Sequence, residues 1–216
     1  MDEPCTLSID IGNDASSAEF AARRAKLYED DAIARRVEVL APGAQRRARM
    51  HARLANSANG GVKVKAICIS SHGAPGRVID DLSDGGTLVA EADRVEDLAR
   101  VGSGRVVYIC ACRVAQGALV DRLIALRARG VIAFTGAPSW ETDTVLELWR
   151  EFDASLVRAI SFGDTAAAVL SAVEDRRAEV LRYVDERLGI PPDPTEEADL
   201  LQMREVVQNM VVRRPI

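Results

Sequence analysis

Aromatic side chains are scarce: Phe, Trp and Tyr together make up 4% of the 216 residues. Single-stranded nucleic acid is held largely by stacking bases on such rings, so this class of partner lacks its usual platform. Positive charge is also in deficit, with 28 Lys and Arg against 33 Asp and Glu and a net charge of -5. Nucleic acid and anionic membrane surfaces attract proteins through excess cationic charge, so neither is expected as a partner. The local cluster of Arg46, Arg47, Arg49 and Arg53 reads as a solvated helix face. Long apolar runs are missing. No stretch reaches the roughly 18 residues needed to span a bilayer, and no basic start leads into an apolar core as in a secretory leader. The chain reads as cytoplasmic. Four cysteines (Cys5, Cys68, Cys110 and Cys112) are too few and too irregularly spaced for a disulfide framework at this length.

What is present is ordinary for one globular domain with an appendage: 48% apolar and 28% charged residues. Thr6 to Gly12 alternates like a strand. A helix is expected from the Ser16-Ser17 cap to about Arg35, then a strand at Val37 to Leu40, stopped by Pro42-Gly43. An Ala/Arg-rich helix follows to about Leu54. Val64 to Ser70 is a near-continuous apolar run, the pattern of a buried parallel strand. Gly76 to Ala90 holds two short strand-like pieces around Asp84-Gly85-Gly86, a hairpin signal. Next come a helix at Glu91 to Arg100, a strand at Val106 to Cys110, a helix at Ala115 to Arg129 and a strand at Val131 to Phe134. Helices are expected at Thr142 to Ala159, Asp164 to about Leu188, and Thr195 to Val212.

This alternation predicts an α/β protein with an open, mostly parallel sheet and helices on both faces. Residues 1–189 form the expected domain, and 190–216 a proline-rich linker and C-terminal helix. The helix carries an apolar stripe (Leu200, Leu201, Met203, Val206, Val207, Met210 and Val211), suited to packing back on the domain or to meeting a partner.

In such sheets, chemistry gathers at the carboxyl ends of the strands. Two strand ends carry reactive groups. One runs Ala66-Ile67-Cys68-Ile69-Ser70-Ser71-His72-Gly73; the other runs Val106-Val107-Tyr108-Ile109-Cys110-Ala111-Cys112-Arg113. Neighbouring strands lie about 4.8 Å apart, so His72 and Cys112 can meet if their strands are adjacent. A thiol with a pKa of about 8.5 is only slightly ionised at neutral pH, and a nearby imidazole supplies the missing base. Backbone amides around Gly73 and Cys112 would be donors to an oxyanion. Alone, either side chain is more often structural than catalytic; their joint placement points to a nucleophile and its base.

These segments resemble a caspase-like cysteine peptidase, and within that group the CHAT domains of bacterial proteins. The resemblance rests on Ser70-Ser71-His72-Gly73 and Ile109-Cys110-Ala111-Cys112, with a hairpin and helix between them. Ala128 to Phe134, Trp140 to Phe152 and Ile160 to Val169 are similar to the elements that follow in that family, so the match covers about residues 60 to 175. It implies the caspase-haemoglobinase fold, with His72 as base and Cys112 as nucleophile, a protein substrate and no cofactor or metal. It also implies a regulatory partner protein, within a bacterial defence or cell-death system. The caspase signature is Gln-Ala-Cys-Arg-Gly, whereas this chain reads Cys110-Ala111-Cys112-Arg113-Val114. Cys110 thus stands where caspases place a pocket-lining residue, which removes the basis for aspartate specificity. Glu141 and Asp143 would instead give an acidic, substrate-binding pocket for Lys or Arg.

Three other readings stay open. Cys68, His72, Cys110 and Cys112 are zinc-ligand types, although Cys-x-Cys is not the usual spacing. Ile9-Asp10-Ile11-Gly12-Asn13 resembles the first phosphate loop of actin-like kinases, without the second motif that fold requires. A caspase-like domain can also serve as a catalytically silent binding scaffold.

Overall fold

The computed structural model describes residues 4–10, 15–41, 43–80, 86–138, 143–190 and 192–215. Its first part runs β1 (Cys5–Asp10), α1 (Ala15–Leu27), α2 (Asp31–Ala34), β2 (Val37–Val39), α3 (Arg46–Ala58) and β3 (Val64–Ser70). Three short strands follow, β4 (His72–Ala74), β5 (Arg77–Ile79) and β6 (Thr87–Ala90). The second part runs α4 (Val95–Gly102), β7 (Val106–Cys110), α5 (Leu119–Ala125), β8 (Gly130–Phe134), α6 (Asp143–Phe162), α7 (Ala166–Leu188), α8 (Pro194–Gln208) and β9 (Met210–Arg213).

The main sheet has the order β2-β1-β3-β7-β8-β9. Its strands are parallel except β9, which runs antiparallel to β8. β3 and β7 are therefore direct neighbours, with Ser70 opposite Cys110. Both are central and nearly anhydrous: Ile67, Cys68, Ile69, Val107, Tyr108 and Ile109 are all 0% exposed. Alternate residues feed two core layers. Ile67, Ile69, Val107, Ile109 and Ala111 pack with Met50 and Leu54 of α3, Leu98 of α4 and Leu123 of α5. Ala66, Cys68, Val106, Tyr108 and Cys110 join Trp149 and Phe152 of α6, Val173 of α7 and Met203 of α8. Each fully buried Val, Leu or Ile contributes roughly 1.5–3 kcal/mol, so the central strand ends rest on the best-packed part of the molecule.

Several boundaries differ from the sequence reading, each for a local reason. The helix expected from Ser16 to Arg35 breaks after Leu27, because Asp30 caps a new turn by accepting the Ala32 N–H at 2.9 Å. The helix expected from Glu91 starts only at Val95, since the Asp93 carboxylate accepts the Ala90 N–H at 2.9 Å and holds a turn. The helix expected from Ala115 becomes a 3-10 turn, Val114–Gln116, followed by α5. At the C-terminus, Asp193 rather than Thr195 is the cap, accepting from Thr195 N and Glu196 N at 2.9 and 3.0 Å. The helix expected to reach Val212 ends at Gln208. Met210–Arg213 instead extends the sheet, where β-branched Val211 and Val212 pair with Ala133 and Ile132. Met203, Val206, Val207 and Met210 are buried in the α6-side core, so the apolar stripe packs on its own chain.

The hairpin expected from the Asp84-Gly85-Gly86 signal is present as the antiparallel β5–β6 pair. Asp84 and Gly85 themselves lie outside the described residues. The third strand of that small sheet, β4, has no counterpart in the sequence reading, and it carries His72.

Candidate active site

The site is assembled by main-chain contacts where β3 and β7 end. Ser71 N donates to Cys110 O at 3.0 Å, extending the β3–β7 pairing one step past the strands. Ser71 Oγ then donates to Ile79 O, and β4 begins at His72, which pairs with Ile79 of β5. Gly76, in the β4–β5 turn, donates its N–H to Val114 O at 3.2 Å. The His72–Gly76 arm is thus laid alongside the segment that carries Cys112.

Gly73 explains how close the two arms come. A Cβ built there would sit 2.7 Å from Cys112 N and also strike Cys112 O and the Ala111 side chain. Glycine is needed at this position for close backbone approach. Beyond Cys112, Arg113 adopts the left-handed conformation (φ 58°), and its N–H is held by Gly136 O at 2.9 Å. A non-glycine residue there is uncommon and costs of order 1–3 kcal/mol, a strain that concentrates at functional corners.

The four thiols are not equivalent. Cys5, Cys68 and Cys110 are buried, whereas Cys112 is half-exposed. Burial pushes the Cys68 thiol up to about 12 and drives Cys110 higher still, so neither is a thiolate at neutral pH. Burial also raises the Cys112 thiol; the Arg113 charge and the Cys112 backbone N–H pull it partly back. The Cys112 thiol therefore rests protonated at neutral pH.

Cys110, expected beside a substrate pocket, is 4% exposed and packs in the α6-side core with Cys68, Tyr108 and Trp149. Glu141 lies outside the described residues, and Asp143 opens α6. Among the described residues, no group of three or more His, Cys, Asp or Glu is arranged to hold a metal ion.

Sequence reasoning missed a buried charge network on the α6 side of the same strand ends. Arg24, 2% exposed, donates Nη1 to Asp10 Oδ1 at 2.9 Å. Its Nε and Nη2 hold both Asp153 carboxylate oxygens, at 2.9 and 2.7 Å. Tyr108 donates its hydroxyl to Asp153 Oδ1 at 2.7 Å, and Ser8 bridges Asp10 and Tyr28. The Arg24 guanidinium also lies over the Tyr108 ring, 5.5 Å from its centroid. The two carboxylates hold Arg24 well above its ordinary value against burial, while burial raises Asp10 despite Arg24. Asp10, which the phosphate-loop reading would give to a nucleotide, is already engaged by Arg24. The one partial signal was Asp10, an acidic residue closing the alternating strand β1.

A cavity of about 770 Å³ adjoins this network, lined by Arg23, Arg150, Arg158 and Arg176 among others; neither His72 nor Cys112 borders it. No helix among the described residues is long and apolar enough to cross a membrane.

No family model matches the sequence, and neither does any curated protein. Among solved structures, the chain is similar to a secreted C11 cysteine protease from Bacteroides thetaiotaomicron, determined in complex with an irreversible peptide inhibitor. The TM-score is 0.53 at 12% identity, covering 83% of this chain and 60% of the protease, so this chain spans 60% of the length of that relative. At this identity the likeness speaks for architecture, and it agrees with the strand order and the mixed α/β layers: the chain has a caspase-like α/β fold.

Proposed function

We propose that the protein is a cysteine endopeptidase that cleaves a protein substrate through His72 and Cys112. The observation that carries this reading is the backbone meeting at Gly73 and Cys112, at the ends of adjacent parallel strands, where Cys112 is the half-exposed thiol.

The chemistry follows from the groups present. Cys112 Sγ attacks the peptide carbonyl carbon as its proton passes to His72, a general-base step worth about 10²–10⁴-fold. The tetrahedral oxyanion is received by the backbone N–H groups of Gly73 and Cys112, each such donor being worth about 10²–10³-fold. Collapse breaks the C–N bond while His72 returns the proton to the leaving amine. Water, deprotonated by His72, then attacks the thioester; the C–S bond breaks and the thiol is restored. No metal or organic cofactor enters these steps.

Glu141 and Asp143 extend the proposal to substrates with Lys or Arg at the cleavage site. The resemblance to CHAT domains, carried by Ser70 to Gly73 and Ile109 to Cys112, extends it further. It adds control by a regulatory partner protein in the cytoplasm of a bacterium, in defence or cell death. The raised Cys112 thiol favours the second reading, a silent binding scaffold. One experiment separates them. New protein amino termini are mapped in cells expressing the wild type, Cys112→Ala or His72→Ala. The peptidase reading expects termini unique to the wild type; identical sets in all three would establish the scaffold.

A further inference from the structure

The strand β6 ends at Ala90, and Glu91 follows in the tight turn closed by Asp93. The backbone and side chain of Glu91 act on different arms of the site. Its N–H donates to Gly76 O at 2.7 Å, in the β4–β5 turn that carries the histidine arm. Its carboxylate Oε2 accepts the N–H of Ala118, the residue that caps α5 just downstream of Cys112. Between these two anchors the arms touch. Gly76 N donates to Val114 O, and a Cβ at Gly117 would run into Gly76 N and Glu91 Oε2 alike. Gly76 is itself left-handed (φ +71°), and a Cβ there would meet the Glu91 carboxylate. Glu91 is half-buried and occupies the space that side chains at Gly76 and Gly117 would need.

Resting on the cysteine-peptidase reading, we propose that Glu91 is a positioning residue: its carboxylate fixes the spacing between the His72 arm and the Cys112 arm. Glu91 acts by tying the Gly76 turn to the start of α5, so its loss lets the two arms slide relative to one another. Misplacement by about 1 Å can cost 10²-fold in rate, which makes a single hydrogen-bond anchor at this junction matter.

The chain holds two histidines, His51 and His72, so the ring signals of histidine-labelled protein are few and easily assigned. Iodoacetamide is the probe. In the wild type, alkylating the half-exposed Cys112 is expected to shift the signal that is absent from His72→Ala. Glu91→Gln keeps a side-chain oxygen acceptor and is expected to retain that response. Glu91→Ala removes the acceptor and Glu91→Asp withdraws it by one methylene; both are expected to lose the response. Their inactivation by a peptidyl chloromethylketone should slow about 10-fold or more. If Glu91→Ala fails to fold, Glu91→Asp carries the test. A wild-type response in either folded variant overturns the proposal and leaves the dyad standing. Absence of any His72 response in the wild type removes the dyad itself, and with it the role of Glu91.

Discussion

Two corners of this molecule sit at the same end of the same sheet and are held together in opposite ways. The His72–Cys112 corner is built from main chain: Gly73 lies on Cys112, Gly76 bonds Val114, and Gly117 abuts Gly76. The Asp10–Arg24–Asp153–Tyr108 corner is built from side chains, buried except for part of Asp10 and joined by charge-assisted hydrogen bonds. The first keeps its reactive groups half-exposed and tolerates a strained residue at Arg113. The second is largely buried and gives stability only while every partner is present. A fold can thus hold reactive side chains open by fixing the backbone beneath them, while the neighbouring strand ends are locked by buried charge.

Substitutions should separate the two corners, the largest effect first. Arg24→Ala strands two buried carboxylates and should cost about 3–5 kcal/mol, read as a lower urea midpoint. Cys112 labelling in the molecules that remain folded should be unchanged. Gly73→Ala should act the other way. Its Cβ pushes the Cys112 backbone aside, so chloromethylketone inactivation should fall about 100-fold while the urea midpoint moves less than in Arg24→Ala. Tyr108→Phe removes one donor from Asp153 and should destabilise by about 1–2 kcal/mol with no change in labelling.

The smallest effect is on pH dependence. Only the thiolate alkylates, and burial raises the Cys112 thiol, so the iodoacetamide rate should still be climbing above the pH at which an ordinary thiol levels off. Arg113→Ala removes the charge that pulls this thiol down and should move the profile further toward alkaline pH. A shift toward acid would contradict the electrostatic picture of the corner.

The legible parts of the fold are those in which one local pattern decides. Val64 to Ser70 and Val106 to Cys110 are almost continuously apolar because both faces of a central parallel strand are covered, and both strands were read with their observed bounds. The placement of His72 and Cys112 just past those ends followed from the same runs. β4 was not legible: His72-Gly73-Ala74 has no strand pattern and becomes one only through pairing with β5. β9 was hidden because Met210 and Val211 continue the helical stripe of α8, and only the open edge of β8 turns them into a strand. The charge network was invisible because Arg24 and Asp153 lie 129 positions apart, and nothing local marks either as buried. The role of Glu91 escaped for a related reason, since its partners Gly76 and Ala118 meet only in the folded chain.

The central claim is that His72 and Cys112 work as a pair on peptide carbonyls. The most direct measurement is the rate and site of covalent capture by peptidyl chloromethylketones bearing Lys, Arg, Asp or Leu at the cleavage position. Peptide mapping would be run on the wild type, His72→Ala and Cys110→Ala. The account predicts a single adduct on Cys112, at least about 100-fold slower in His72→Ala and nearly unchanged in Cys110→Ala. Equal labelling of several cysteines, or a Cys112 adduct that forms as fast without His72, would contradict it.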